Sequence, residues 1–294
     1  MSYSHKINSP FLLENETDYK KWRNEKLSLY PESISNLLIQ LDKDSLLLND
    51  LNSIKKIIGK YNFAVYEFNS KIDDEFLQEF CKKLKLIESV SNPLSDINNI
   101  SNITDNSAFK SNNSNKTEYI PYTNKKLNWH TDGYYYPIDI SVKSFLLHCE
   151  SQAEQGGRNF LIDHEIIYIF LRDHNPDYID ILMQKDIMEI PRNKNIKDSK
   201  AIKGPVFYID KDGSLNMRFT SRKQNIIWKK DDIINDIKRF IESFINDDKR
   251  YIFDLLLKEN QGYIANNILH RREEFNDGKK KRLLKRIRFL NRVS

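Results

Sequence analysis

The sequence predicts an α+β protein with a mainly β core, a double-sheet jelly roll carrying flanking and inserted helices. Three observations predict it. Strand-like segments dominate after residue 119, helical segments interrupt them twice, and the opening hundred residues read mainly as helix around one strand. A single domain over 1–294 accommodates all three, with a helical part at 1–118 and the jelly-roll core at 119–294.

The early strand is Asn62 to Phe68, rich in aromatic and branched residues. Behind the acidic pair Asp73-Asp74, residues Phe76, Leu77, Phe80, Cys81 and Leu84 recur at helical spacing. From Ser91 to Thr117 the composition turns to Asn and Ser, which predicts a long surface loop. In the second part, Ser141 to Glu150 is a strand candidate in which Phe145 and Leu147 oppose Leu146 and His148. Val206–Ile209 and Leu215–Phe219 flank Asp212-Gly213 as a hairpin, and Lys285 to Leu290 closes the series. The inserted helices are Asp163 to Arg172 and Asp231 to Ile245, the latter with Ile233, Ile237, Phe240, Ile241 and Phe244 on one face.

Composition removes several classes of function. A hydrophobic fraction of 39% is enough for a sizeable core and argues against disorder along the chain. Two cysteines, Cys81 and Cys149, make neither a disulfide framework nor a thiolate metal site. No segment has the apolar length of a signal peptide or a membrane span, so a cytoplasmic protein without membrane contact is expected. The net charge of +5 suits anionic small molecules as well as nucleic acid and decides nothing.

The most informative segment is Leu127-Asn128-Trp129-His130-Thr131-Asp132-Gly133-Tyr134. Residues i and i+2 of an extended strand share a face, so His130 and Asp132 can grip one ion. An imidazole and a carboxylate are two parts of the facial triad that binds non-haem Fe(II) and leaves positions open. Alone the pair is common. A second histidine, His270, ends the apolar strand-like run Ile264 to His270 and supplies a third ligand from a distant strand. The remaining histidines, His5, His148, His164 and His174, read as structural.

The basic run Lys279-Lys280-Lys281-Arg282-Leu283-Leu284-Lys285-Arg286 has two readings. As a solvated patch over 279–288 it predicts nucleic-acid binding from one exposed face. The interleaved Leu283, Leu284 and Ile287 instead predict a strand with Arg282, Leu284 and Arg286 on one inward face. Arginine there would hold a carboxylate with its planar fork. A metal-binding cupin-like protein without turnover would share the triad but have no need of Arg282.

On Trp129-His130-Thr131-Asp132-Gly133, Gly156-Gly157, the stretch Asn267 to Phe275 and Arg282 to Arg286, the chain resembles the taurine dioxygenase/clavaminate synthase-like branch of the Fe(II)/2-oxoglutarate oxygenases. The match runs from about Pro121 to Leu290. The resemblance implies a distorted double-stranded β-helix, iron held by His130, Asp132 and His270, and 2-oxoglutarate held at its far carboxylate by Arg282. Arg286 would face the cosubstrate or the substrate. Many members carry Thr shortly after the Gly-Gly turn, where this chain has Asn159, whose amide would donate a similar bond. The implied reaction consumes O₂ and 2-oxoglutarate, releases succinate and CO₂, and oxidises a small molecule. Halogenases of this chemistry lack the carboxylate ligand, so Asp132 points to hydroxylation. Tyr134 and Tyr136 suggest an aromatic cage for an ammonium group, and Arg218 and Arg222 a seat for a carboxylate, together favouring an amino-acid or betaine-like substrate.

Overall fold

The computed structural model describes residues 9–90, 99–106, 120–192, 200–247 and 249–294. The first part contains α1 (Glu16–Ser28), β1 (Leu38–Leu41), α2 (Leu48–Tyr61), β2 (Phe63–Phe68), α3 (Asp74–Lys83) and β3 (Ser101–Ile103). Then come β4 (Leu127–His130), β5 (Ser144–Ser151), β6 (Gln155–Gly156), β7 (Asn159–Ile162), α4 (His164–His174) and α5 (Pro176–Leu182). Next are β8 (Met188–Ile190), β9 (Ile202–Gly204), β10 (Phe207–Ile209), β11 (Leu215–Met217), β12 (Ile227–Trp228) and α6 (Asp232–Asp247). The series ends with β13 (Phe253–Leu255), β14 (Gln261–Ala265), β15 (Leu269–Arg272), β16 (Phe275–Asn276) and β17 (Leu283–Phe289).

Six strands form the major sheet in the order β1-β2-β14-β5-β17-β3, antiparallel except for β1 beside β2. A second sheet has the order β13-β7-β15-β4 and is antiparallel throughout. Alternation along the central strands divides the core into two. Phe145, Leu147, Tyr263, Ala265 and Leu284 pack with Trp129, Leu161 and Leu269 of the four-stranded sheet. Leu146, Ile264, Ile287 and Phe289, on the opposite face, pack with Ile54 and Ile58 of α2 and Leu77 and Phe80 of α3. Because both faces are covered, Phe145, Leu146 and Leu147 of β5 are all buried, which explains why this stretch alternates in direction but not in polarity. The described sheets do not close into one barrel.

The structure corrects the sequence reading in four places. The first part contributes three strands to the major sheet, because β1 and β3 join both its edges as well as β2. Within the expected 91–117 loop, residues 91–98 and 107–117 lie outside the described residues, but Ile100, Ser101 and Ile103 are buried and β3 pairs with β17. The run 264–270 is two strands, broken at Asn266-Asn267, where Asn267 takes a left-handed φ of 47°. Asp132 lies in the turn after β4 and not in the strand. The hairpin of β10 and β11 turns through Gly213 at φ 84°, as Asp212-Gly213 implied. Helices α4 and α6 occupy the two expected inserts, while α5 and the small sheet β12-β8-β9 had no clear periodic signal.

A buried ion cluster ties α1 to α4. Lys26 donates to Asp163 at 2.6 Å, Glu165 at 2.5 Å and the Lys60 carbonyl at 2.5 Å. Asp163 also caps α4 by accepting from the Glu165 amide and takes a bond from the Asn62 amide. Lys26→Met would leave two carboxylates buried without their cation. It should cost about 3–5 kcal/mol in denaturant unfolding. A loss below about 1 kcal/mol would mean that the cluster is solvated by water and does little for stability.

Candidate metal centre and cosubstrate pocket

Antiparallel pairing of β4 with β15 sets His130 directly opposite His270, with ring centroids 4.3 Å apart. The ring nitrogens are sorted by main-chain carbonyls. Nδ1 of His130 lies 2.8 Å from the Asn128 carbonyl and Nδ1 of His270 lies 3.0 Å from that of Ile268. A carbonyl only accepts, so both protons sit on Nδ1 and both Nε2 lone pairs are free for a cation. Burial, and then the neighbouring His270, push the His130 imidazole down to about 3, and burial lowers His270 too. Both rings are neutral, as ligands must be.

Asp132 is placed by its backbone. Its N–H donates to Asn267 Oδ1 at 2.7 Å, and Asn267 Nδ2 donates to the Asp132 carbonyl at 2.9 Å and the Val142 carbonyl at 2.7 Å. The turn continues through Gly133 at φ 67°, where a Cβ would come within 2.5 Å of Val142. Asp132 Oδ1 accepts from Arg286 at 3.2 Å and lies 3.7 Å from His130 Nε2, while Oδ2 is buried without a partner. Burial works to raise this carboxyl, but Arg286 and Arg288, aided by the two histidines, hold it at about 2. One ligand atom from each of His130, Asp132 and His270 lies within 4.8 Å of the other two. Two neutral imidazoles, one charged carboxylate and an unpartnered carboxylate oxygen fit a divalent transition metal.

Asn267 was not foreseen. Its position three residues before His270, with a left-handed φ that Asn tolerates better than most residues, was the available signal. It joins the two ligand-bearing segments, since it sits between β14 and β15 and holds the Asp132 turn. Asn267→Ala should weaken Fe(II) binding about 10- to 100-fold, as loss of outer partners does, without touching a ligand atom. Metal titration of the folded variant checks this; an unchanged dissociation constant would show that the turn holds itself.

Beside His270 a pocket is lined by Asn159, Tyr263, Arg272, Arg282 and Arg286, with Phe145, Leu147 and Leu284 as apolar walls. Arg282 is 3% exposed, stacks 4.8 Å above Phe275, and has Nη1 without a partner. Burial lowers its guanidinium to about 10. Asn159 Nδ2 and Tyr263 Oη are likewise buried without partners. With Arg272 Nε and Arg286 Nε, five buried donors of the pocket's lining lack a partner, which is costly unless acceptors enter. Tyr263 is a second residue the sequence reading missed, hidden in an apolar strand. Gly156-Gly157 is more than a turn: at φ 74° and 78° it runs so close to Glu274 and Arg282 that a Cβ would meet the Glu274 carbonyl at 2.3 Å and Arg282 Nε at 3.1 Å.

The expected substrate residues are placed differently. Arg218 donates to the carbonyls of Tyr134, Met188, Gly204 and Ile202, so it fastens the small sheet instead of facing a ligand. Tyr134 and Tyr136 do not form an open cage, because Arg222 lies 5.3 Å over Tyr134 and Arg288 lies 5.7 Å over Tyr136. The basic run divides: Lys279 to Lys281 are exposed, whereas Arg282, Arg286 and Arg288 are buried. His148 stacks on Tyr66, His164 bonds to the Leu215 carbonyl and His174 packs on Phe240, all in other contacts, while His5 lies outside the described residues.

Comparison with known proteins adds three findings. Residues 38–288 match the family described as "Taurine catabolism dioxygenase TauD, TfdA family". A curated Streptomyces protein named uridine-5'-phosphate dioxygenase is 31% identical over 162 residues, 53% of this chain and 58% of that protein, so the chain aligns with little more than half of its relative's length. Among solved structures, AAD-2 in complex with Mn(II) and N-oxalylglycine superposes with TM-score 0.62 at 14% identity, covering 88% of this chain and 96% of that one. Asparagine oxygenase in complex with Fe(II), 2S,3S-3-hydroxyasparagine and succinate gives 0.58 at 11% identity, covering 97% and 86%. At these identities the structural likeness concerns the fold.

Proposed function

From the premise that this chain belongs to the taurine catabolism dioxygenase TauD, TfdA family, we propose that it is an Fe(II)- and 2-oxoglutarate-dependent dioxygenase that hydroxylates a small molecule. The observation that carries the reading is the adjacency of the His130, Asp132 and His270 cluster to a pocket whose Arg282, Asn159 and Tyr263 donors have no acceptor. Iron held there would supply the oxidising chemistry, with O₂ and 2-oxoglutarate consumed and succinate and CO₂ released.

The chain's own residues bind, orient and exclude water. His130, Asp132 and His270 would hold the metal, the histidines offering the Nε2 lone pairs that their carbonyl-bound Nδ1 leaves free. Arg282 takes the far carboxylate of 2-oxoglutarate, with Asn159 and Tyr263 as further donors. Arg286 fixes Asp132 and screens its charge. Phe145, Leu147 and Leu284 keep the pocket dry, which strengthens each of these contacts. The two facing sheets are read as a distorted jelly roll within one domain over 1–294, since both cores share the six-stranded sheet.

The curated relative's name supports a small-molecule substrate. An amino acid remains compatible, whereas the betaine-like alternative loses its motivation with the occupied tyrosine faces. A non-catalytic cupin-like role leaves Arg282 buried without a purpose. Succinate formation on adding Fe(II) and 2-oxoglutarate, screened against pooled amino acids and nucleotides, tests the proposal. Absence of 2-oxoglutarate binding to the metal-loaded protein would overturn it.

A further inference from the structure

Resting on that reading, we propose that Arg288, with Arg222, forms an oxyanion subsite that seats a carboxylate or phosphate of the primary substrate. On β17, Arg286 and Arg288 are two residues apart and share the inward face. Their circumstances differ. Arg286 is engaged by Asp132, whereas Arg288, only 2% exposed, has no carboxylate within 4 Å among the described residues. Its Nη1 donates to Tyr135 Oη at 3.0 Å, and its Nη2 is buried with no acceptor.

The tyrosine triplet links this guanidinium to a second one. Tyr134 and Tyr135 meet at 5.3 Å and Tyr135 and Tyr136 at 4.8 Å. Tyr134 stands edge-on to His130 at 6.3 Å and carries Arg222 on its face. Arg222 reaches this place because Thr131 and Phe219 bond reciprocally and Ser221 donates to the Trp129 carbonyl. Its Nη2 caps the Asn225 carbonyl, but Nε is buried and unpartnered, and it too lacks a carboxylate within 4 Å among the described residues. Two guanidiniums with unmet donors therefore flank the histidine and carboxylate cluster on the tyrosine side, while Arg282 serves a separate pocket. An added cation would be repelled there and an oxyanion would be bound.

The test uses the full chain loaded with Mn(II) and 2-oxoglutarate, so that no turnover occurs. Inorganic phosphate, acetate and tetramethylammonium are each titrated calorimetrically. Phosphate or acetate should bind with a dissociation constant on the order of 1 mM, and tetramethylammonium should give no heat. Tighter phosphate would assign a phosphoryl group, and tighter acetate a carboxylate. Arg288→Leu should weaken the anion about 10- to 150-fold, with Arg222→Leu losing less. Arg288→Lys, which keeps the charge and guards against misfolding, should recover part of the loss. Absence of anion binding, unchanged anion affinity in Arg288→Leu and Arg288→Lys, or binding of tetramethylammonium would each overturn the subsite. Failure of 2-oxoglutarate itself to bind the wild-type protein would count against the oxygenase reading, which separates the two claims.

Discussion

Asp132→Ala should remove iron-dependent turnover and weaken Fe(II) binding by more than the roughly 10- to 100-fold that losing an outer partner costs. Asp132 is the only carboxylate in the cluster, and it brings the one negative charge among three ligand groups. Its removal also leaves Arg286 without its ion-pair partner and exposes two neutral imidazoles to a pocket already rich in guanidiniums. A divalent cation is then opposed where it was attracted. The vacated position would suit a halide, so chloride should restore some metal affinity to the variant while leaving hydroxylation absent. Direct metal titration with and without chloride measures both effects. Hydroxylation at the wild-type rate in Asp132→Ala would end the assignment of this residue as a ligand.

For Arg282→Leu the expected outcome is a different one: metal binding stays nearly constant while 2-oxoglutarate affinity collapses. Hydrogen bonds to charged groups are worth roughly 1.5–3 kcal/mol, so the dissociation constant should rise about 10- to 150-fold. Arg282→Lys should regain only part of this, because an ammonium lacks the two-pronged geometry of the guanidinium. Leucine replaces the aliphatic stem but loses the stacking of the guanidinium on Phe275, so the folded state of the variant is checked by its unfolding midpoint alongside the titration. Were Arg282 part of a nucleic-acid surface, the same variant would lower nucleic-acid affinity and leave 2-oxoglutarate untouched. Its near-complete burial is the reason to expect the first result.

What could be read from the sequence divides along physical lines. That His130, Asp132 and His270 would cluster was legible because metal chemistry restricts residue type, and that Arg282 and Arg286 would be buried because arginines interleaved with apolar residues demand an inward partner, although Arg282 lies just before β17 and not in it. The mode of their convergence was not legible. Asp132 was assigned to the strand face, whereas a turn held by Asn267 presents it, and no pattern announces a side chain that bonds to distant main chain. Arg218 was misread for the same reason: its partners are four backbone carbonyls, which sequence does not display. The tyrosine triplet was read as a cage for an ammonium group, whereas Arg222 and Arg288 lie over the Tyr134 and Tyr136 rings, brought there from the segment after β11 and from β17. Strands β1 and β3 were too short for their periodicity to be seen, and β3 is surrounded by Asn and Ser.

The placing of β17 between β5 and β3 has a consequence for how the molecule comes into existence. During synthesis β5 emerges long before either neighbour, so both its edges stay unpaired until β14 appears, and the second until β17 does, while the strand carries Phe145, Leu146 and Leu147. Such an edge is a template for unwanted pairing with other chains. The contacts that relieve it are distant in sequence, and assembly governed by them is slow. Arg282 reaches the pocket beside His270 just ahead of this strand, and Arg286 and Arg288 arrive on it, so the nascent chain completes its buried arginines only at the step that also seals this border. Chains stopped short of β17 should accumulate as insoluble material, and a newly made molecule should become soluble and able to bind 2-oxoglutarate at the same moment.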